Sequence, residues 1–288
     1  MKVAILAGGR GSRLAEETEI KPKPMVEIGG HPILWHIMKI YDHYDFEDFV
    51  IALGYRGEVI KKYMVDYCSI SDNLTVDIGD GTVHHHDGER PDWTVELIDT
   101  GIPTKTGGRI KRLQPHVGDE TFMLTWGDGV ADIDIDELVE FHNAHDRLAT
   151  MTVVRPPARY GHIEMSGEGT GEVLNFSEKP QLGEGWINGA FFVLDPGIFD
   201  YIEGDDTVWE HDPLENLSDD GELMAYRHDS FWQCMDTLRE KHILENYWES
   251  GDPPWKVWDD GEPIVSTGLL DFGEPVENES ETGTNGSQ

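Results

Sequence analysis

Residues 2–14 read Lys-Val-Ala-Ile-Leu-Ala-Gly-Gly-Arg-Gly-Ser-Arg-Leu, and residues 21–27 read Lys-Pro-Lys-Pro-Met-Val-Glu. Val3 to Leu6 is a short apolar run that fits a strand buried on both faces of a parallel sheet. It runs straight into Gly8, Gly9 and Gly11, which let a backbone approach a ligand closely. Arg13 and Lys23 follow, two cations beside a loop whose N–H groups already favour an anion. Strand, glycine loop and flanking cations together read as a phosphate cradle. The spacing is not that of a P-loop, which needs two glycines four residues apart and then Lys and Ser or Thr. The dinucleotide fingerprint is nearer: Gly9 and Gly11 supply its first two glycines and Glu27 sits near the ribose-binding distance. Leu14 replaces the third glycine, however, and Pro22-Lys23-Pro24 has no place in such a site. An empty strand-to-helix turn is the remaining alternative, and Arg13 together with Lys23 argues against it.

The pattern resembles the sugar-1-phosphate nucleotidyltransferases, whose N-terminal loop reads Gly-Gly-x-Gly-Thr-Arg-Leu before a Pro-Lys-Pro-Met. Residues 8–14 and 22–25 match it, with Ser12 keeping the threonine hydroxyl. The likeness narrows to the glucose-1-phosphate cytidylyltransferases at Glu16-Glu17-Thr18, Lys21 to Gly30, Thr106-Gly107-Gly108-Arg109, Gly127-Asp128-Gly129-Val130-Ala131-Asp132 and Met235-Asp236-Thr237-Leu238-Arg239. It covers about residues 1–259. It implies a reaction between CTP and α-D-glucose 1-phosphate that gives CDP-glucose and pyrophosphate. UTP, dTTP or another sugar 1-phosphate, or a non-catalytic nucleotide-binding subunit, are the competing readings. Related enzymes are commonly homo-oligomers.

Composition bounds the partners. Asp and Glu number 57 against 22 Lys and Arg, a formal net charge of −35. Apolar residues make up 38% and are spread periodically, so the acidity reads as the solvated surface of a globular protein in concentrated salt rather than as disorder. Such a charge excludes nucleic acid and anionic membrane surfaces as partners. It also makes the placement of cations informative. Eight of the 22 basic residues fall between Arg10 and Lys23 or between Lys105 and Arg112, where an even spread would put fewer than two. Cys68 and Cys234 have no metal spacing and form no disulfide framework, which fits reduced thiols in a cytoplasmic setting. No apolar run is long enough to span a bilayer, and the N-terminus opens directly on a strand rather than on a signal peptide.

Along the chain, strands at Val3–Leu6, Phe49–Leu53, Thr94–Ile98, Phe122–Trp126 and Thr150–Val154 alternate with helices. These helices are expected from Pro32 to about Tyr44, over Glu58–Asp66 and over Ile135–Ala144. The alternation predicts an α/β, Rossmann-like fold with a mostly parallel mixed sheet flanked by helices. From Arg155 the pattern changes to short strands at His162–Met165, Glu172–Phe176 and Asn188–Leu194, with helices near Trp209–Leu217 and Thr237–Tyr247. This half predicts a small, antiparallel-rich, sugar-binding extension. The expected organisation is a nucleotidyltransferase domain over 1–259, split near 154 into nucleotide and sugar-phosphate parts. An acidic C-terminal extension follows over 260–288, expected to be disordered from about 274.

Ligands of such sheets bind beyond the carboxyl ends of the strands. Asp128 lies there, between two glycines, where a carboxylate suits Mg²⁺; the alternative is a turn aspartate capping the next helix. Asp236 follows an apolar segment and fits a helix N-cap equally well. The family resemblance implies that Asp236 is the second metal ligand, beside Asp128. It further implies that Leu6, Ala7, Gly8, Gly9, Arg10, Gly11 and Ser12 hold the nucleotide, and that Arg13 and Lys23 act on its phosphates. Thr104, Arg109 and Gly127 are implied as further substrate contacts, Lys179 as the sugar-phosphate ligand and Asn188 as the amide that meets the sugar. Cys234 stands where the family has proline, and Ala190 where it has a second glycine. His84-His85-His86 is read as a solvated loop, since consecutive residues cannot all face one ion in regular structure.

Overall fold

The computed structural model describes residues 1–71, 73–86, 90–156, 162–165, 173–177 and 185–259. Seven strands make the central sheet: β1 (Val3–Leu6), β2 (Asp48–Leu53), β3 (Thr94–Asp99), β4 (Phe122–Trp126), β5 (Ala149–Val154), β6 (Ile187–Leu194) and β7 (Leu223–His228). Their order is β7-β5-β6-β4-β1-β2-β3. β1 is parallel to both β2 and β4, β3 to β2, and β7 to β5. β6 runs antiparallel to β5 and β4. Six strands therefore end at one edge of the sheet, and β6 begins there.

Alternation along the strands divides the core. Val3 and Ile5 face α1 (Ile33–Asp42) and the fully buried Ile60 of α2 (Gly57–Ser71). Ala4 and Leu6 face Ile110 and Leu113 of α3 (Thr106–Val117). Leu138 of α4 (Ile135–Asn143) and Leu244 of α6 (Leu238–Glu249) join the first layer, and Leu217 of α5 (Asp212–Asp219) the second. The strands read as continuous apolar runs because helices cover both faces.

The sequence expectation of a mostly parallel mixed sheet flanked by helices holds. The second half of the chain packs on the same sheet, as expected. β6 lies in the middle of the central sheet, and β7 closes one end of it. His162–Met165 and Val173–Ser177 form a separate small antiparallel pair. One expectation is corrected: Thr82–His86 is a strand, paired antiparallel with Asn73–Asp77, and not a loop. The β-branched Thr82 and Val83 after the turn at Gly81 (φ +76°) favour a hairpin over an irregular segment. The expected C-terminal disorder, from about 274, lies outside the described residues.

Trp255 and Trp258 fold back over α1, where His36 is fully buried among Trp35, Trp248, Trp255 and Trp258. Its Nε2 lies 2.9 Å from the Ile28 carbonyl, and its Nδ1 accepts from the Trp255 indole at 3.4 Å. Both nitrogens are thus satisfied by a neutral ring protonated on Nε2. Burial lowers the His36 pKa to about 3. The unfolded chain takes up a proton below its ordinary value, while the folded chain does not. Stability is therefore lost as pH falls from about 6.5 towards 3, by about 1.4 kcal/mol per pH unit from this group. In a proton NMR titration, the His36 ring signals should keep their neutral positions down to pH 5. A His36 midpoint near 6.5 would refute this.

Candidate active site

The glycine loop leaves β1 at the edge where the parallel strands end. Ala7 N donates to the Ala52 carbonyl at 3.0 Å, and Tyr55 N to that of Gly8 at 3.1 Å, so the loop is pinned to β2. Gly11 takes a left-handed φ of +60°, and an added Cβ would lie 3.0 Å from Thr18 Cγ2 and 3.1 Å from Lys23 Cβ. Both the conformation and the space require glycine there. Thr18 Oγ1 donates to the carbonyls of Gly11 (3.1 Å) and Leu14 (2.9 Å), closing the loop from below. Gly9, Arg10, Ser12 and Arg13 remain exposed, with the Arg10 guanidinium over the Tyr55 ring.

Lys23 is held by its neighbours. Pro22 caps, and Pro24 lies within, a single helical turn over Lys23–Met25. Pro24 packs on Gly127, where a Cβ would come within 2.9 Å of the proline ring and 3.0 Å of the Leu6 carbonyl. Gly127 N donates to that carbonyl at 3.0 Å. The Pro-Lys-Pro and Gly-Asp-Gly segments therefore meet because Gly127 has no side chain.

A short antiparallel ribbon brings in the second carboxylate. Gly129–Ala131 pairs with Trp232–Cys234, and Met235 N donates to the Asp128 carbonyl at 2.8 Å. Asp128 and Asp236 leave the same end of this ribbon. The Lys23 ammonium sits between them, 2.6 Å from Asp128 Oδ2 and 2.5 Å from Asp236 Oδ1. Arg13 Nη1 reaches Asp236 Oδ2 at 2.8 Å. Lys23 is buried, which opposes its charge. The two carboxylates outweigh that penalty and hold its pKa above the ordinary value.

Neither aspartate is committed to a helix end. The N-cap of α4 is Asp134, which accepts from Glu137 N. That of α6 is Thr237, in a capping box with Glu240. The capping alternatives open in the sequence thus fall to neighbouring residues. Two carboxylates sharing one ammonium are an all-oxygen donor pair that fits a hard divalent cation. Cys234, Asp236 and Glu240 also bring one ligand atom each within 4.8 Å of one another. That trio suits a soft metal poorly. Burial, then Glu240, Asp236 and Asp128, push the Cys234 thiol up to about 12, and Glu240 accepts from the Asp236 and Thr237 amides.

Other expected site residues are placed as follows. Thr104 Oγ1 is buried and has no hydrogen-bond partner among the described residues. Asn188 Oδ1 accepts from Ala190 N at 2.8 Å, at the start of β6. Lys179 lies outside the described residues. Arg109 is buried behind the glycine loop. Its Nη1 donates to the Leu53 carbonyl (3.0 Å) and Thr100 Oγ1 (2.7 Å), its Nη2 to the Ile102 carbonyl (3.3 Å), and a Cβ on Gly8 would strike it. The basic run on α3 is otherwise spent on packing: Lys111 donates to the Phe199 carbonyl, and Arg112 grips Asp205 through two nitrogens. Of the two cation clusters in the sequence, the first enters the site and the second largely braces α3. Tyr55, whose hydroxyl donates to the Thr18 carbonyl at 3.1 Å and shapes the loop from outside it, carried no sequence signal.

Residues 2–250 match the family model described as Nucleotidyl transferase. The chain belongs to that family of enzymes. Within it, the chain is 49% identical over 260 residues to a glucose-1-phosphate cytidylyltransferase of Salmonella typhi, covering 90% of this chain and 100% of the relative. It is 43% identical over 259 residues to a probable glucose-1-phosphate cytidylyltransferase of Bacillus subtilis, with the same coverage. The fold also matches the crystal structure of HddC from Yersinia pseudotuberculosis, with TM-score 0.63 at 22% identity, over 86% of this chain and 99% of that one. Among the described residues, no helix is long and apolar enough to cross a membrane.

Proposed function

We propose that this chain transfers the cytidylyl group of CTP to α-D-glucose 1-phosphate, giving CDP-glucose and pyrophosphate. The observation that carries the reading is the single network of Lys23, Arg13, Asp128 and Asp236, drawn from three distant parts of a chain 49% identical to a cytidylyltransferase over that relative's whole length. The identity of the base and sugar rests on that relationship.

The attacking atom is a phosphate oxygen of the sugar phosphate. Its second pKa is about 6, so it is already ionised and needs no general base. A new bond forms from this oxygen to the α-phosphorus, the bond from the α-phosphorus to the bridging oxygen breaks, and the electron pair leaves with pyrophosphate. The difficulty is bringing two anions together, in a chain whose net charge of −35 repels both. Arg13 and Lys23 supply positive charge to the triphosphate and to the departing pyrophosphate. The backbone from Leu6 to Ser12 cradles the nucleotide, with Gly127 at its flank. The buried Thr104 hydroxyl, without a partner among the described residues, offers a hydrogen bond to the base. Asn188, its oxygen spent on Ala190, presents its NH₂ to sugar hydroxyls, and Lys179 aligns the sugar phosphate. Arg109 supports the glycine loop from behind. Asp128 and Asp236 would hold Mg²⁺, which would supply positive charge against the negative charge developing on the phosphates.

The reading includes a cytoplasmic, homo-oligomeric enzyme working in concentrated salt, in line with the acidic surface and the family resemblance. Pyrophosphate release should be measured in high KCl for each nucleoside triphosphate against a panel of sugar 1-phosphates, with and without Mg²⁺. CTP with glucose 1-phosphate is expected to exceed every other pair in kcat/KM by about a hundredfold. A different preferred pair would replace this assignment, and no release with any pair would refute it.

A further inference from the structure

The start of β6 departs from regular strand geometry beside the site. Met151 of β5 pairs with Phe192 and Val153 with Asn188, so the residues between Asn188 and Phe192 bulge out of the ladder. Such bulges re-aim side chains next to active sites. Within this one, Ala190 has φ +66°, a left-handed conformation that alanine adopts at a cost. Gly189 is crowded as well, since a Cβ there would lie 2.8 Å from Val154 Cγ1. Two side chains hold the turn in this form. Asn188 Oδ1 accepts from Ala190 N at 2.8 Å, and the Trp232 indole N–H donates to the Gly189 carbonyl at 2.8 Å.

Trp232 is also the first residue of the ribbon strand that runs into Asp236 and pairs with the segment after Asp128. Its indole hydrogen bond is therefore a direct tie between the turn bearing Asn188 and the ribbon bearing both carboxylates. We propose that Trp232 is a positioning residue. It holds the strained Asn188-Gly189-Ala190 turn against the ribbon, so that the sugar-binding amide stands at a set distance from the carboxylate pair. The inference rests on the transfer reaction proposed above. Without the indole bond, Ala190 relaxes out of the left-handed region and Asn188 loses its aim.

Trp232→Phe removes the donor and keeps an aromatic ring. In the full-length chain its KM for glucose 1-phosphate should rise about tenfold, the factor expected when a neutral hydrogen bond and the strain it restrains are released. The KM for CTP should stay within about twofold, and the thermal midpoint should show the variant folded. Ala190→Gly added to Trp232→Phe should restore most of the affinity, because glycine takes the left-handed conformation without strain. A merely structural role predicts a lower thermal midpoint and no such rescue. The proposal is overturned if Trp232→Phe leaves both KM values unchanged, raises both equally, or is not rescued by Ala190→Gly. Failure of the functional reading would look different, since the unaltered chain would then make no CDP-glucose.

Discussion

Asp128→Asn and Asp236→Asn are each expected to lower kcat about 10²- to 10³-fold with the fold intact, and Lys23→Ala to do the same. The carboxylates are only partly buried, with side-chain exposures of 28% and 21%, so an amide of the same shape disturbs little packing. What is lost is charge: on the proposed reading, the pair that would hold a divalent ion, or the ammonium that would face the leaving phosphates. Lys23→Ala also leaves two carboxylates facing each other without the cation between them, so its thermal midpoint should fall while the two Asn variants stay near the parent. Steady-state pyrophosphate release beside thermal melts separates these outcomes. A near-wild-type rate in any of the three variants would break the assignment.

Dilution of salt is the second large effect expected. With 57 acidic and 22 basic residues, the surface repels itself wherever screening is weak. The Debye length grows from about 3 Å at 1 M to about 10 Å at 0.1 M, so neighbouring carboxylates that ignore each other in concentrated salt interact on dilution. The folded chain holds these charges closer together than the unfolded chain and loses more stability. The thermal midpoint should fall by roughly 10 °C or more between multimolar KCl and ~0.1 M KCl. A midpoint unchanged over that range would show that the acidity has no bearing on the working salt.

Much of this was legible in the sequence, for identifiable reasons. The strand-and-glycine start at Val3 to Gly11, and the apolar runs at β2, β4 and β5, report burial directly, because both faces of the sheet are covered. Asp128 was readable from its place beyond β4 between two glycines. Asp236 needed the family resemblance, since local sequence equally supports an N-cap. The structure shows why the cap falls one residue later, on Thr237, whose partner Glu240 stands at the capping-box spacing. Less legible were relations that depend on distant pairing. The insertion of β6 into the middle of the sheet, the ribbon joining Gly129–Ala131 to Trp232–Cys234, and the Trp232–Gly189 bond have no periodic signature. The basic run from Lys105 to Arg112 shows the reverse case, where a clear compositional signal serves mainly to hold α3 to Leu53, Phe199 and Asp205.

Turnover of the Asp128→Asn, Asp236→Asn double variant, set against the two single variants, tests most directly whether carboxylates from opposite halves of the chain act as one centre. If they hold a single ion, the second substitution removes little that the first has left, and the double variant should be only slightly slower than the worse single one. Losses that multiply would mean that the two groups work independently, and would contradict the shared centre.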